Sequence, residues 1–566
     1  MSLSKDKDSF AVFALSMACV MGTTAAATYL WTQQREQQKY LDEKKAAYER
    51  ELTIKEKTVQ ARLLAGEKPA SGILVDDVSI QRVYLWEVED LKKRFSPSLK
   101  VNVMKNVGKT HESPSFFPSL KPTPSMKEDT GDEDYKAIHE THYNKLITNH
   151  ECILANLVRK PNQETYTHAY VRAGPRRNLH FDPDQVSAAI VTCGGLCPGL
   201  NNVIREIVKT LKQLYGIQGT VYGIQGGYRG FHDFETYPPI ELTPELVQNI
   251  HHEGGTVLGS SRGGFDIDKI IEFLKSRKVN QLYVIGGDGT HRGAFKIHEA
   301  CMERGMNVAV AGIPKTIDND VDYIDHSFGF ASAVEAALTA IRSAKTEATC
   351  NKPNGIGIVK LMGRSAGFIA AHATMSSSDV DLCLVPEVPL VLDGPSGCLP
   401  HLRRRVREQG YAVVVVAEGA GEEILGVSAE VDAGGNRKLP PIGEFMKDQI
   451  VEYYKKHGEE ATVKYIDPSY TVRSVPANAA DSLYCMQLAQ NAVHGAMAGF
   501  TGFSVGLCNN KMVFLPIPEL VATSPRSMDP RGRTWERVLA LTRQPNTVPP
   551  LQPGEKEKAS TQPTLR

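Results

Sequence analysis

Two aspartates, Asp318 and Asp320, stand two residues apart in the segment PKTIDND, directly after an apolar run. In an extended loop, side chains two residues apart point to the same side. One carboxylate could act as general base on a hydroxyl while the other holds a metal ion or positions the loop. An Asx-rich turn without a catalytic role is also common for this composition. These residues alone leave both interpretations open.

A third acid lies among glycines in residues 286–290, GGDGT. Glycines let a phosphate chain approach the backbone, and Asp288 could hold a Mg²⁺ ion that bridges those phosphates. Residues 259–264, GSSRGG, add Arg262 as a cation in another glycine-rich loop. A guanidinium fork suits phosphate better than an ammonium group does. These two loops predict a site for a phosphorylated ligand.

A further glycine-rich turn occupies residues 192–202, TCGGLCPGLNN. A strand ends here and a helix begins near Pro198, so exposed amide groups could bind an anion. No Gly-Lys-Ser/Thr follows, so the segment is not a Walker loop. Taken alone, it is explained at least as well by a tight turn between a strand and a helix.

The segments that carry these residues alternate between apolar strands and amphipathic helices. VSAAIVTCGG predicts a buried strand ending in glycines, and PGLNNVIREIVKTLKQLY predicts the helix after it. VNQLYVIGGDGT followed by HRGAFKIHEACMERG repeats this order. Alternating strands and helices predict an α/β fold whose parallel sheet has helices on both faces. Such sheets bind ligands at the carboxyl ends of their strands.

Composition excludes several classes of protein. The 566 residues include 65 Lys plus Arg and 65 Asp plus Glu, so the formal net charge is zero. Proteins that bind nucleic-acid backbones normally carry a basic excess, so no nucleic-acid partner is expected. A hydrophobic content of 41% with 23% charged residues is that of a globular protein. The length allows two or three domains.

The N-terminal part of the sequence differs from the rest. Residues 9–34 contain no charged side chain, and about 20 apolar residues suffice to cross a bilayer. Cations that follow, beginning with Arg35, would place the C-terminal side in the cytosol. A membrane anchor is the preferred interpretation, with a cleaved targeting signal or an amphiphilic helix as alternatives. The composition of residues 35–165 predicts a charged helix followed by a Ser-, Pro- and acid-rich linker.

In combination, these segments resemble the 6-phosphofructokinases, and most closely the plant-type ATP-dependent group. The resemblance covers roughly residues 168–520 and includes VTCGGLCPGLNN, YGIQGGYRGF, VLGSSRGG, VIGGDGT, IPKTIDND, LMGR and YIDPSYTVRS in one order. It implies two Rossmann-like lobes with mainly parallel sheets flanked by helices, plus an N-terminal helical extension. The implied domains are a transmembrane or targeting segment (1–34), an extension (35–165), the catalytic domain (166–525) and a tail (526–566).

The resemblance also implies a reaction, the transfer of the γ-phosphoryl group of MgATP to the 1-hydroxyl of fructose 6-phosphate. Asp318 matches the catalytic base, and Thr316 matches the neighbour that contacts the hydroxyl and the phosphoryl group. Arg364 of the MGR segment matches the arginine that reaches the transferring group, and Asp320 matches a supporting acid. A non-catalytic regulatory relative is the alternative, although Asp318, Thr316 and Arg364 are all present.

Binding residues follow from the same resemblance. Those implied for ATP are Gly194, Arg262, Asp288, Gly289 and Thr290, with Asp288 as the Mg²⁺ ligand. Those implied for the sugar phosphate are Thr316, Asp318, Asp320, Met362, Gly363, Arg364, Glu418, Lys464, Tyr470 and Arg473. The family further implies a homotetramer or homodimer, allosteric control at a site that no sequence rule locates, and a cytoplasmic catalytic domain, here with anchoring through residues 9–31.

Two positions bear on the phosphoryl donor. In pyrophosphate-dependent relatives an aspartate typically replaces the glycine found here as Gly289, and it would crowd and repel the α-phosphate of a nucleotide. Lys315 is the residue typical of pyrophosphate users, but its combination with Gly289 is that of the plant-type ATP enzymes. ATP is therefore the expected donor and pyrophosphate the alternative. Many relatives also carry an arginine that reaches the sugar phosphate across a subunit boundary, where this chain has Gly355, and Lys352 is a weak candidate to replace it.

Overall fold

A computed structural model describes residues 82–96, 146–149, 151–157, 166–426, 430 and 438–550. The predicted segment 1–34 lies outside these residues, as do most of the extension 35–165 and residues 551–566 of the tail. Within the described residues, no helix combines the length and the apolar character needed to cross a bilayer. The anchor predicted from residues 9–31 lies outside the described residues.

Strands and helices alternate along most of the described chain. The strands are β1 (Arg82–Trp86), β2 (Glu89–Asp90), β3 (Cys152–Leu154), β4 (Tyr166–Arg172), β5 (Ala188–Thr192), β6 (Val221–Ile224), β7 (Ile240–Glu241), β8 (Gln281–Gly286), β9 (Ala309–Pro314), β10 (Gly355–Leu361), β11 (Leu382–Leu384), β12 (Tyr411–Ala417), β13 (Thr462–Ile466), β14 (Phe500–Thr501), β15 (Phe503–Cys508) and β16 (Lys511–Pro516). The helices are α1 (Leu200–Lys209), α2 (Ile267–Ser276), α3 (Asp288–Glu303), α4 (Phe330–Cys350), α5 (Phe368–Ser377), α6 (Cys398–Gln409), α7 (Glu422–Leu425), α8 (Ile442–Lys456), α9 (Ser469–Ser474), α10 (Ala479–Ala498), α11 (Ile517–Thr523) and α12 (Arg533–Thr542).

The first lobe is built on a large mixed sheet. Its strand order in the described residues is β1-β4-β16-β15-β9-β8-β5-β6-β7, with β3 paired to β4. At its centre, β9, β8, β5 and β6 run parallel. Every residue of β5, β8 and β9 is buried, as expected for parallel strands covered on both faces. The parallel α/β arrangement predicted from the sequence is therefore confirmed.

The second lobe contains a smaller sheet of order β11-β12-β10-β13, in which the neighbouring strands are parallel. Its central strand β12, YAVVVVA, is buried except at its first residue. Helix α4 packs closely on β10. A Cβ atom at Gly355 would lie 2.0 Å from the Ala348 carbonyl oxygen, and one at Gly357 would lie 2.5 Å from the Ala344 carbonyl oxygen. Glycines at these positions let the helix approach the sheet.

Two stretches are more ordered than the sequence predicted. The composition of residues 66–165 predicted irregular structure, yet β1 pairs in parallel with β4 and β3 pairs antiparallel with the same strand. The partner of β1 lies about 80 residues further along the chain, so local patterning gave no sign of the pairing. Beyond residue 525, in the predicted tail, Trp535 is 1% exposed and packs in the main core.

Candidate active site

Three loops of the first lobe meet at one edge of its sheet. The glycine turn (residues 193–198) follows β5, the GGDGT loop (286–290) begins at the last residue of β8, and the base loop (315–322) follows β9. These three strands are neighbours and parallel, so their carboxyl ends lie side by side. The sheet thus brings together motifs more than 120 residues apart in sequence.

The second lobe presents its loops in the same way. The arginine loop (362–367) follows β10, Glu418 follows β12, and the segment leading into α9 follows β13. These strands are again parallel neighbours. Met362, Arg364, Glu418 and Arg473 therefore come from adjacent strand ends.

An open cavity of about 430 Å³ lies between the two sets of loops. Gly194, Ser260 and Arg262 of the first lobe line it, together with Met362, Arg364, Glu418 and Arg473 of the second. Three guanidinium groups with one carboxylate make this cavity cationic. A ligand with several negative charges, such as a phosphate ester, fits such a lining.

Asp318 is the acid of the base loop whose pKa is raised most. Its Oδ1 atom is buried and accepts no hydrogen bond in the described structure. Burial raises the pKa of Asp318 to about 8, with further contributions from the charges of Asp320 and Glu418, while Lys315 and Arg364 oppose the shift. A carboxyl group whose pKa lies near neutrality is suited to accept a proton.

The base loop is held by its own side chains and by a strained residue. The Asp318 amide donates to Thr316 Oγ1 at 3.1 Å, and the Thr316 side chain also bonds the Asp320 carboxylate. Asn319 adopts a left-handed backbone with φ 57°, and its Oδ1 accepts the Ser327 amide at 3.0 Å. Strain of this kind is often retained where it fixes functional groups.

Asp288 and Asp320 form a second pair of acids beside this loop. Asp288 is the first residue of α3, and burial together with the Asp320 charge raises its pKa to about 6. Burial also raises the pKa of Asp320, opposed by the Thr316 hydrogen bond. Thr290, two residues on, packs against Gly286, and its carbonyl oxygen accepts from Tyr228 Oη at 2.7 Å.

This pair fits a Mg²⁺ ion that is shared with a phosphate ligand. Within the part of the chain that the structure describes, no group of three or more His, Cys, Asp or Glu side chains could hold a metal alone. Mg²⁺ usually takes one or two carboxylates and completes its shell with water and phosphate oxygens. Two carboxylates whose pKa values are raised by burial and, for Asp288, also by the charge of Asp320, favour a bound cation.

The two donor positions differ in their surroundings. Gly194 has φ +88°, a left-handed backbone that favours glycine, and the Lys315 ammonium group lies close beside it. Lys315 is buried, with 7% exposure, and donates to the Gly195 carbonyl oxygen at 2.7 Å. At Gly289, apart from the chain neighbours and the backbone of the same helix, no atom of the described residues lies within 4 Å of the position that a Cβ would take. The space beside the GGDGT loop is therefore open.

The residues implied for sugar-phosphate binding divide into two groups. Arg473 lines the cavity, and its Nε atom is buried without a hydrogen-bond partner among the described residues. Tyr470 is 76% exposed and lies under the Arg473 guanidinium, 4.9 Å from its ring centroid. Lys464 Nζ lies 3.9 Å from Glu347 Oε2 on α4. Neither Tyr470 nor Lys464 is among the residues that line the cavity.

Lys360 was not predicted from the sequence as a residue of the site. Its Nζ lies 2.6 Å from Asp467 Oδ2, and its charge opposes the burial that raises the pKa of Glu418. Asp467 in turn accepts from the Ser469 amide at the start of α9, the helix that carries Arg473. A single lysine within the otherwise apolar strand GIGIVKL was the available signal.

An arginine, which many relatives carry at this position, does not fit at Gly355, because its Cβ atom would overlap with the Ala348 carbonyl oxygen. Lys352, the weak candidate to replace it, lies with Nζ 5.4 Å from the Tyr411 ring centroid. That position is at the start of β12, at the opposite end of the strand from Glu418.

Comparison with known proteins agrees with this geometry. The phosphofructokinase family model matches residues 187–496, more than half of the chain. ATP-dependent 6-phosphofructokinase 7 of Arabidopsis thaliana is 48% identical over 390 residues, covering 68% of this chain and 79% of that protein. The ATP-dependent 6-phosphofructokinase of Borreliella burgdorferi is 46% identical over 381 residues, covering 66% and 85%.

A solved structure shares the fold. The pyrophosphate-dependent phosphofructokinase from Marinobacter aquaeolei aligns with a TM-score of 0.53 at 20% identity, covering 67% of this chain and 98% of that chain. The fold and the cationic cavity between two strand-end loop sets define a phosphate-ligand-binding α/β protein. This chain belongs to the phosphofructokinase family.

Proposed function

We propose that this protein transfers the γ-phosphoryl group of ATP to the 1-hydroxyl of fructose 6-phosphate, giving fructose 1,6-bisphosphate and ADP. The observation that carries the proposal is Asp318. Its buried Oδ1 lacks a hydrogen-bond partner among the described residues, and its raised pKa occurs beside a cavity lined by three arginines. Relatives at 46–48% identity bear the name ATP-dependent 6-phosphofructokinase. Both the acid and the relatives support one reaction.

In this proposal Asp318 accepts the proton of the sugar 1-hydroxyl as the oxygen attacks the γ-phosphorus. Thr316 fixes the turn of the loop through its hydrogen bonds to the Asp318 amide and the Asp320 carboxylate. Arg364, whose positive charge acts on both Asp318 and Glu418, neutralises charge on the transferring group. Phosphoryl transfer depends mainly on such positioning and charge neutralisation.

The nucleotide side of the cavity would be formed by the first lobe. Gly194, Arg262, Gly289 and Thr290 contact the phosphates in this proposal, and Asp288 holds Mg²⁺ with Asp320 beside it. A bound Mg²⁺ would neutralise charge on the β- and γ-phosphates. The sugar side would be formed by Met362, Gly363, Arg364, Glu418 and Arg473, with Lys464 and Tyr470 at its periphery.

ATP is the proposed donor because the region beside Gly289 is open. A nucleotide α-phosphate can therefore occupy the space where pyrophosphate users carry an aspartate. Lys315 does not conflict with this, since its ammonium group is engaged by the Gly195 carbonyl oxygen. Pyrophosphate remains the second candidate donor, favoured by the identity of Lys315 alone.

The donor assay tests the proposal. Purified protein is given fructose 6-phosphate and Mg²⁺ with ATP or, in parallel, pyrophosphate, and fructose 1,6-bisphosphate is measured. ATP is expected to support turnover roughly tenfold faster than pyrophosphate, or more, because a difference of about 1.4 kcal/mol in transition-state binding gives that ratio. The opposite ratio would reverse the donor, and no product with either donor would contradict the function and favour a non-catalytic relative.

Two further expectations belong to the whole protein. We propose a homotetramer or homodimer under allosteric control, following the family, and light scattering of the purified protein would measure its mass. We also retain membrane anchoring through residues 9–31, based on the absence of charged side chains from residues 9–34. An anchored catalytic domain would face the cytosol. Release of the full chain by alkaline carbonate would reject the anchor.

A further inference from the structure

A short segment near the C-terminal end of the described chain contacts the base loop. We call residues 524–528, SPRSM, the strap. The Arg526 amide donates to the Asp320 carbonyl oxygen at 2.7 Å, and Arg526 Nε donates to that of Asn319 at 3.2 Å. Ser524 Oγ accepts the Asp322 amide at 3.1 Å. The strap is therefore bonded to the part of the base loop that follows Asp318.

The same segment contacts the arginine loop in the second lobe. The Met528 amide donates to Glu387 Oε1 at 2.8 Å, and Glu387 also accepts the Gly367 amide at 2.9 Å. Ser527 Oγ donates to the Ser365 carbonyl oxygen at 3.2 Å. Ser365 directly follows Arg364, so the strap is bonded to the chain on both sides of the cavity.

Arg526 is the side chain that joins these two sets of contacts. Its guanidinium carbon lies 5.5 Å from the ring centroid of Phe368, at the start of α5. Burial lowers the pKa of Arg526, and the charges of Asp322, Asp320 and Asp325 oppose that shift. Its Nε bond reaches Asn319, the residue whose left-handed backbone turns the loop between Asp318 and Asp320.

We propose that Arg526 is a positioning residue for phosphoryl transfer, holding the base loop against the arginine loop so that Asp318 and Arg364 face one reacting centre. The inference rests on the proposed function, because it assigns Asp318 and Arg364 to the same step. Arg526 is not among the residues that line the cavity. A displacement of about 1 Å between reacting groups can cost on the order of 100-fold in rate.

Arg526→Met tests the role by kinetics. We expect kcat to fall by about 10- to 100-fold, while KM for ATP and for fructose 6-phosphate each change less than about threefold. Arg526→Lys keeps the charge and should recover part of the loss. Millimolar guanidinium should raise the rate of Arg526→Met but not of the parent enzyme. Unchanged kcat would overturn the proposal, as would a loss that neither the lysine variant nor guanidinium restores.

Hydrogen exchange separates this role from the proposed function. In Arg526→Met, peptides covering residues 316–322 should exchange faster than in the parent, whether or not the parent is active. Arg537→Met is the control, since Arg537 is an exposed residue of the same C-terminal stretch, and it should leave both exchange and kcat unchanged. Equal exchange of residues 316–322 in the Arg526→Met variant and the parent would overturn the positioning role. An inactive parent with faster loop exchange in the variant would contradict only the function.

Discussion

The Lys315 ammonium group donates a hydrogen bond to the carbonyl oxygen of Gly195 at 2.7 Å and so joins the base loop to the glycine turn. Burial lowers the pKa of Lys315, and the charge of Asp318 opposes that shift. The lysine in turn opposes the shift that raises the pKa of Asp318. Lys315, although typical of pyrophosphate users, thus makes a structural hydrogen bond here that does not depend on the phosphoryl donor.

Asp318→Asn should lower kcat by roughly 10²- to 10⁴-fold, the range expected for loss of a general base. Asparagine keeps the shape of the side chain but cannot accept the hydroxyl proton. Steady-state kinetics with ATP and fructose 6-phosphate measure the effect. Asp448→Asn, at an exposed position of α8, is the matched control. Near-normal turnover of Asp318→Asn would remove Asp318 from the base role.

The same variant should be more stable than the parent, increasingly so as pH rises. The pKa of Asp318 is raised from 3.8 to about 8 on folding. Between about pH 4 and pH 8 the carboxyl group therefore ionises in the unfolded state but stays protonated in the folded state, so the free energy of unfolding falls as pH rises. Asparagine has no such cost. We expect a Tm difference of about a few degrees at pH 8 and a smaller one at pH 5. A difference that is constant with pH would show that Asp318 has an ordinary pKa.

Gly289→Asp should lower turnover with ATP by about 100-fold or more, because the carboxylate would repel the nucleotide phosphates. Tm should be nearly unchanged, since, apart from the chain neighbours and the backbone of the same helix, no atom of the described residues lies within 4 Å of the new Cβ. Gly289→Asn has almost the same size without the charge and should lose less. Donor-dependent kinetics and thermal melts measure these effects. Equal losses in both variants would attribute the effect to crowding, and no loss would remove Gly289 from the donor site.

Arg473→Met should raise KM for fructose 6-phosphate by more than about tenfold and leave KM for ATP within about twofold, because loss of a charge-assisted hydrogen bond costs about 1.5–3 kcal/mol. Arg473 lines the cavity. Lys464→Met removes a cation that is not part of this lining and should have a smaller effect. If Lys464→Met has the larger effect, the sugar phosphate binds nearer to β13 than the cavity indicates.

The central strands of the fold could be predicted because their signal is local. AAIVT, QLYVIG and AVAGIP are mostly apolar and end in loops with glycine or acidic residues, and all three are buried parallel strands. By contrast, RVYLW of β1 depends on a partner at Tyr166–Arg172. Its polar surroundings and distant partner left no local sign of a strand.

The candidate site divides in a similar way. The loops that carry Asp288 and Asp318 could be predicted, since each combines a charged side chain with a loop at a strand end, whereas Arg364 was implied only by the family resemblance. Arg526 could not, because TSPRSM resembles any polar loop and acquires its contacts only when both lobes are in place. Lys360 carried a weak signal as a charge within a buried strand.

The position of the strap in the chain has a consequence for biosynthesis. Residues 524–528 are translated after every strand described above. Domains generally fold as units while the chain emerges from the ribosome, but Trp535 of α12, which packs in the core, is translated after the strap, so the second lobe is not complete until the strap is present. The bonds from the strap to Asn319 and Glu387 can then form only late in synthesis. Completion of the second lobe and assembly of the site therefore both belong to the last stage of synthesis.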